Sequence, residues 1–339
     1  MEAVATMNDV AREAGVSLST VSYVLSGKRT ISEETRLAVQ SAIRKLDYSP
    51  HSGARALASN RSNVLGLMAP LRADVNVSVI MQFVAAVVTT ARTYNQDVLL
   101  LTQDDAGGLE RVTSQSMVDG LLMMDIEARD PRIPLLAKLR KPAVLIGLPD
   151  DPQGLSCVDF DFAGASRTAV RHLVDLNHRS IGFIGSPQAS LERHATYADR
   201  ARKGFTEACD AAGVSSTLRA CEPSMPALTE ALTAVLDDDD GAATAVTALV
   251  VHNEGLLPLL HEALAVRGLR IPEDISVVVI APEDVALAAT KPWTAVSIPA
   301  HDIGRAAVEM VMDRLNSDKP VEVRLIVPTL VQRETSSAR

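Results

Sequence analysis

Asn8-Asp9-Val10-Ala11-Arg12-Glu13-Ala14-Gly15-Val16-Ser17-Leu18-Ser19-Thr20-Val21-Ser22-Tyr23-Val24-Leu25 is the stretch that decides what the amino-terminal part of the chain is. Val10, Ala11 and Ala14 recur at helical spacing on one face, Gly15 offers the backbone freedom of a tight turn, and Ser17 stands where a second helix needs a cap. The second helix buries Val21 and Val24, with Leu25 at the edge of that face. Its phase leaves Leu18, Ser19, Ser22 and Tyr23 exposed near the amino end, the part of a recognition helix that reaches base edges in the major groove. Ser32-Glu33-Glu34-Thr35-Arg36 opens a third helix with Val39, Ile43 and Leu46 on its packing side. The pattern fits a helix-turn-helix, against the alternative of a plain three-helix packing module.

Charge helps to separate the two. The chain has 339 residues and a formal net charge of -9, a total that would argue against nucleic acid if it were evenly spread. It is not: residues 1–61 hold eight Lys/Arg and six Asp/Glu, a net of +2, which leaves -11 on the rest. A weakly basic head on an acidic body lets only one end approach phosphates.

Beyond residue 61 the texture changes to apolar strands alternating with amphipathic helices. Strand patterns fall at 64–68, 98–102, 121–124 and 143–147, with helical patterns at 77–94 and 133–139 between them. A second run of the same kind starts near Val158 and continues through helices at 167–176, 198–212, 227–236 and 256–267 and strands at 181–184, 248–251 and 276–280. Alternation of this kind implies right-handed crossovers and parallel sheets covered on both faces. Two such lobes place a ligand cleft beyond the carboxyl ends of their strands. The last helix, 302–315, and a strand at 321–327 are expected to cross back between lobes.

Composition excludes several classes. Apolar runs such as Val98-Leu99-Leu100-Leu101 are far shorter than the roughly 20 residues of a membrane span, and Met1-Glu2-Ala3-Val4 lacks the basic start of a secretory signal. A cytoplasmic protein without membrane contact is expected. Cys157, Cys209 and Cys221 have an odd count and no ligand spacing, so neither a disulfide nor a zinc site is assigned. Asp237-Asp238-Asp239-Asp240-Gly241 reads as a solvated loop, because contiguous aspartates lack the alternating spacing of a calcium loop. Phosphate-binding glycine loops and a Gly-x-Ser-x-Gly elbow are missing. No catalytic residue, cofactor or metal is therefore assigned, and an enzyme is the disfavoured rival. An exported solute-binding protein, the second rival, would share the two lobes but would carry a signal peptide and no helix-turn-helix.

The motifs then become specific. Asp9-Val10-Ala11-Arg12-Glu13-Ala14-Gly15-Val16-Ser17 with Ser19-Thr20-Val21-Ser22, Ser26-Gly27-Lys28 and Tyr48-Ser49-Pro50 closely resembles the lactose-repressor (LacI/GalR) family. The likeness extends to Ala54-Arg55-Ala56-Leu57, similar to the family's hinge helix, and to Asn177-His178-Arg179-Ser180-Ile181-Gly182, Asn253-Glu254 and Ile271-Pro272-Glu273-Asp274-Ile275 in the core. What the resemblance implies is a small all-α helix-turn-helix domain at 1–49, a hinge at 50–61 and a two-lobed α/β, periplasmic-binding-protein-like core at 62–339. It further implies a homodimeric repressor on an inverted-repeat operator in double-stranded DNA, controlled by a small effector, a carbohydrate or similar metabolite.

Site residues follow from helix phase and resemblance together. Leu18, Ser19 and Tyr23 are expected at base edges, and Ser17, Thr20 and Ser22 at phosphates or in packing. Leu57 is expected to wedge into the minor groove, with packing on the core or on its partner hinge as the alternative. Asp161, Arg200 and Asn253 are the expected effector contacts, with Arg202 as competitor to Arg200. Glu283 or Asp284 would supply a carboxylate where Ala281-Pro282 replaces the family's usual Asp-Asp. Tyr23 also departs from the family, standing where an arginine is frequent.

Overall fold

The computed structural model describes residues 5–26, 29–48, 61–102, 117–237 and 245–339. Its amino-terminal head comprises α1 (Met7–Glu13), α2 (Leu18–Ser26) and α3 (Glu33–Lys45). Thr6 and Asp9 open α1 with a reciprocal cap, the Asp9 carboxylate accepting from the Thr6 amide at 2.9 Å and the Thr6 hydroxyl accepting from the Asp9 amide. Gly15 then turns the chain at φ +64°, a conformation that L side chains resist although open space surrounds its Cα. Val10, Ala11, Val21, Val39, Ala42 and Tyr48 form a small core of their own, against which Val24, Leu25, Ile43 and Leu46 pack.

The chain enters the body at residues 61–63. Asp119 accepts from the Ser62 amide at 2.7 Å, the Ser62 hydroxyl at 2.9 Å and the Asn63 amide at 2.8 Å. Arg61 donates to the carbonyl of Leu315 and to Asn316 at the end of the last long helix. The hinge positions 50–60, with Leu57, lie outside the described residues.

The body has two lobes. In the first, β1 (Val64–Met68), β2 (Asp97–Leu101), β3 (Gly120–Met123), β4 (Ala143–Ile146), β5 (Ser156–Phe160) and the late strand β11 (Val323–Ile326) form a parallel sheet in the order 11-5-4-3-1-2. The second holds β6 (Ser180–Gly185), β7 (Ser215–Ala220), β8 (Ala248–Val251), β9 (Ser276–Ala281), β10 (Thr294–Ser297) and β12 (Leu330–Val331) in the order 12-10-9-8-6-7, with only β12 antiparallel. Helices α4 (Val77–Thr93) and α12 (Ala300–Asn316) pack together on the first lobe, and α6 (Phe162–Asp175) and α8 (Thr196–Ala212) on the second. Shorter or outer helices complete the layers: α5 (Ile133–Ala137), α7 (Gln188–Glu192), α9 (Met225–Leu236), α10 (Leu257–Val266) and α11 (Glu283–Leu287). The chain crosses between lobes three times, at 161, at 298–299 and at 327–329.

One boundary moves relative to the sequence pattern. The second run was expected to begin near Val158, yet 156–160 is the fifth strand of the first sheet, Cys157 lying opposite both Leu145 and Val323. A strand buried along its whole length needs a neighbour on each side, and β4 and β11 supply them.

Candidate nucleic-acid interface and ligand cleft

At the head, helix phase places Val21 wholly in the core and turns Leu18, Ser19 and Tyr23 outward, Leu18 being 46% and Tyr23 36% exposed. The Ser17 hydroxyl accepts from the Thr20 amide at 3.2 Å and lies 2.8 Å from the hydroxyls of both Ser19 and Thr20. Ser17 therefore caps α2, and its hydroxyl is engaged by the turn. Thr20 and Ser22 are half-buried on the flanks. The Arg29 guanidinium sits 5.7 Å over the Tyr23 ring, a cation held beside the reading face that the sequence pattern had not singled out.

The second site lies between the lobes. A cavity of about 200 Å³ opens beyond the carboxyl ends of β1, β3, β5, β6 and β8. Much of its wall is apolar, including Ile80, Phe83, Ile126, Ile146 and Ile298. Phe162, Tyr197 and His252 meet on one side as a triangle of rings, with centroids 5.3 Å apart for Phe162 and His252 and 6.1 Å for each pair involving Tyr197. The ionisable acids Asp74, Asp125, Asp159 and Glu254 line the cavity beside the uncharged Asn76, Ser186, Thr196 and Asn253, with no Lys or Arg among the described lining residues.

Those acids fall into two kinds. Arg193, from the second lobe, reaches across to Asp74 at 2.9 Å and Asp125 at 2.8 Å in the first, while Arg72 approaches Asp125 at 3.5 Å and Glu127 at 2.9 Å. The same seam carries backbone bonds from Ala128 N to His194 O and from Thr196 N to Ile126 O. Asp159 and Glu254 have no ion pair among the described residues. Burial pushes the Asp159 carboxyl up to about 7, against the pull of Arg200, and burial raises Glu254 to about 7 as well. The Phe160 amide donates to one Asp159 oxygen at 2.8 Å, and the Leu148 backbone also acts to lower the carboxyl; the second oxygen has no partner at full hydrogen-bond geometry among the described residues, nor has Nδ1 of His252. Burial drives His252 down to about 4, so its ring is neutral at physiological pH.

Of the four effector candidates, Asn253 lines this cavity. Its amide nitrogen already donates to the carbonyls of Gly185 and Cys221, at 3.3 and 2.8 Å, tying together the ends of β6 and β7 and leaving its oxygen as the group with spare capacity. Asp161 follows β5 of the first lobe rather than a strand of the second, and caps α6 by accepting from the Gly164 amide at 2.9 Å. Arg200 is not a lining residue, but its charge acts on Asp159, which is. The Glu283 carboxylate accepts from Arg333 and Ser297, and Asp284 from Gln82 at 3.0 Å. Asp159 and His252 escaped the sequence reading, although Asp159 stands as the acidic residue in the buried strand Ser156–Phe160.

A helix-turn-helix head on a two-lobed core with a cleft defines a class of ligand-responsive regulators, and comparison with known proteins agrees. Residues 6–51 match the description "Bacterial regulatory proteins, lacI family" and residues 170–336 match "Periplasmic binding protein-like domain". The regulator CelR of Thermobifida fusca is 30% identical over 97% of this chain and 98% of its own length, and catabolite control protein A of Priestia megaterium 27% identical over 92% and 93%. Among solved structures, a CelR–cellobiose complex aligns with TM-score 0.67 at 25% identity, covering 98% of this chain and 99% of that one. A lac repressor dimer bound to operator and the anti-inducer ONPF shares the fold, with TM-score 0.80 at 22% identity over 99% and 100%. The chain belongs to the LacI family of bacterial regulatory proteins and is a DNA-binding transcriptional regulator.

Proposed function

We propose that this regulator is a cytoplasmic repressor that binds an inverted-repeat operator as a homodimer and changes its grip when a small effector occupies the cleft between its lobes. It works by binding and not by catalysis. Residues 1–49 read DNA, 50–61 form the hinge with Leu57 as minor-groove wedge, and 62–339 bind effector and pair the subunits. The observation that carries the reading is the face of α2, where Leu18, Ser19 and Tyr23 stand clear of a core closed by Val21. One such helix reads only a few base pairs, so two half-sites are needed. Ser17, which caps the helix, and Thr20 and Ser22 on its flanks contact phosphate or pack, and Arg29 beside Tyr23 adds a phosphate contact.

For the effector, the cavity and the spare oxygen of Asn253 support a ligand that hydrogen-bonds there, with Arg200, Asp161 and Glu283, none of them lining residues, as its further proposed contacts. The cellobiose in the CelR complex makes a carbohydrate-like molecule the natural class. The test is operator selection from random DNA with the wild type and with a Ser19→Ala, Tyr23→Ala double variant. The expected result is a changed half-site with non-specific affinity altered less than threefold; an identical selected sequence would overturn the assignment of α2.

A further inference from the structure

We propose that the effector carries a protonated amine, seated against the Phe162, Tyr197 and His252 rings and facing the carboxyl groups of Asp159 and Glu254. The inference rests on the reading of the cleft as the effector site and narrows its ligand to a small organic ammonium compound, an amino sugar first of all. Three observations carry it.

The first is the triangle of rings. Phe162, Tyr197 and His252 line the cavity as a cluster with ring centroids 5.3–6.1 Å apart, Phe162 tilted against both neighbours and Tyr197 edge-on to His252. Aromatic faces attract a cation through their quadrupole, and they also stack on the apolar face of a sugar ring. Burial keeps His252 neutral and raises the Tyr197 hydroxyl to about 12, so neither brings a competing charge at physiological pH.

The second is charge. Arg193 and Arg72 answer Asp74 and Asp125, but Asp159 and Glu254 have no ion pair among the described residues, and Arg200 reaches Asp159 only through space. A phosphorylated or carboxylated ligand would meet these acids with like charge. Burial disfavours the charged form of both acids; a neutral polyol would supply donors without stabilising that form, whereas an ammonium supplies donors and stabilises the carboxylates.

The third is the pair of unmet polar atoms. Asp159 is 6% and His252 3% exposed, both line the cavity, and each keeps a buried polar atom with no partner at full hydrogen-bond geometry among the described residues. A buried acceptor left unmet is costly, and a ligand donor relieves it. The cavity's volume, below the roughly 300–1,000 Å³ of sites for drug-sized ligands, fits a monosaccharide-sized molecule.

The experiment uses the full chain and reads melting temperature and calorimetric affinity. Its probes are glucosamine, galactosamine, mannosamine and choline, set against glucose, galactose, mannose, the three N-acetylated sugars and cellobiose. The expected result is that at least one ammonium probe raises the melting temperature by several degrees and binds tenfold or more tighter than every neutral compound. If choline alone does so, the ammonium is not that of a sugar; the proposal stands with its first-named source replaced. A neutral sugar that binds as well as the amines, or no response to any ammonium probe, would overturn it. Asp159→Asn combined with Glu254→Gln removes both carboxylates at little change in shape, and should weaken the amine tenfold or more while the ligand-free protein melts no lower. An amine held equally well by this variant would overturn the cleft as its seat. A neutral sugar that binds the wild type tightly and the variant weakly would keep the cleft and overturn the ammonium.

Discussion

Asp159 combines in one side chain a fold constraint and a chemical opportunity. Its folded carboxyl titrates near 7, above the ordinary 3.8, because burial disfavours the charge. A raised carboxyl favours the fold while protonated, so its contribution is fully present below about pH 4 and is lost as pH rises toward 7. Asp159→Asn, which cannot ionise, should therefore melt near the wild type at pH 4 and above it at pH 8. A gap in melting temperature that does not widen between those values would show that the fold does not disfavour the charge of Asp159. The site residues differ in how far they could be read from the chain alone. Leu18, Ser19 and Tyr23 were legible because helical phase against Val21 and Val24 determines which side chains face out. The cleft was less legible. Asp161 and Asp159 are equally acidic and two residues apart, and only the pairing of β5 with β4 and β11 makes Asp159 the buried one.

At the level of elements, α6 and α8 pack backbone to backbone at Gly204. A Cβ built on Gly204 would lie 2.4 Å from the Ala163 carbonyl oxygen and 2.5 Å from its Cα, so backbone and not a flexible side chain stands in the way. Gly204→Ala is expected to destabilise the protein by about 1–3 kcal/mol, offset slightly by its better helix propensity. Urea denaturation followed by far-ultraviolet circular dichroism gives the number, and a neutral or stabilising result would mean the two helices separate freely. Most helices and the central strands were legible from their apolar period. The strand β7 was not: Ser215–Ala220 is polar, half-buried and at the edge of its sheet, so nothing in its composition separates it from a loop. The four-residue β10, Thr294–Ser297, escaped for its brevity and owes its place to pairing with β9 and β12.

For the molecule as a whole, the lobes are held in one arrangement by a seam in which Arg193 bridges Asp74 and Asp125. The Asp125 side chain is 1% exposed, and burial keeps its carboxyl above the usual range despite the nearby guanidinium groups. Removing one partner of a buried ion pair is far more damaging than never having built it. Arg193→Ala should favour separated lobes by about 3–5 kcal/mol. Small-angle scattering should then record a larger radius of gyration without ligand, and an unchanged radius would mean that backbone bonds alone hold the seam. The three crossings at 161, 298–299 and 327–329 also bear on how the protein is made. A ribosome delivers the head's three helices early and in one piece. The first lobe has its strands through Phe160 soon afterwards, yet it waits for α12 to cover it and for β11 to close its edge. At about 5–20 residues per second, that wait is on the order of ten to thirty seconds. Throughout it, the nascent chain carries the head together with an unfinished sheet whose β5 edge is still unpaired, the kind of edge that invites pairing with another chain.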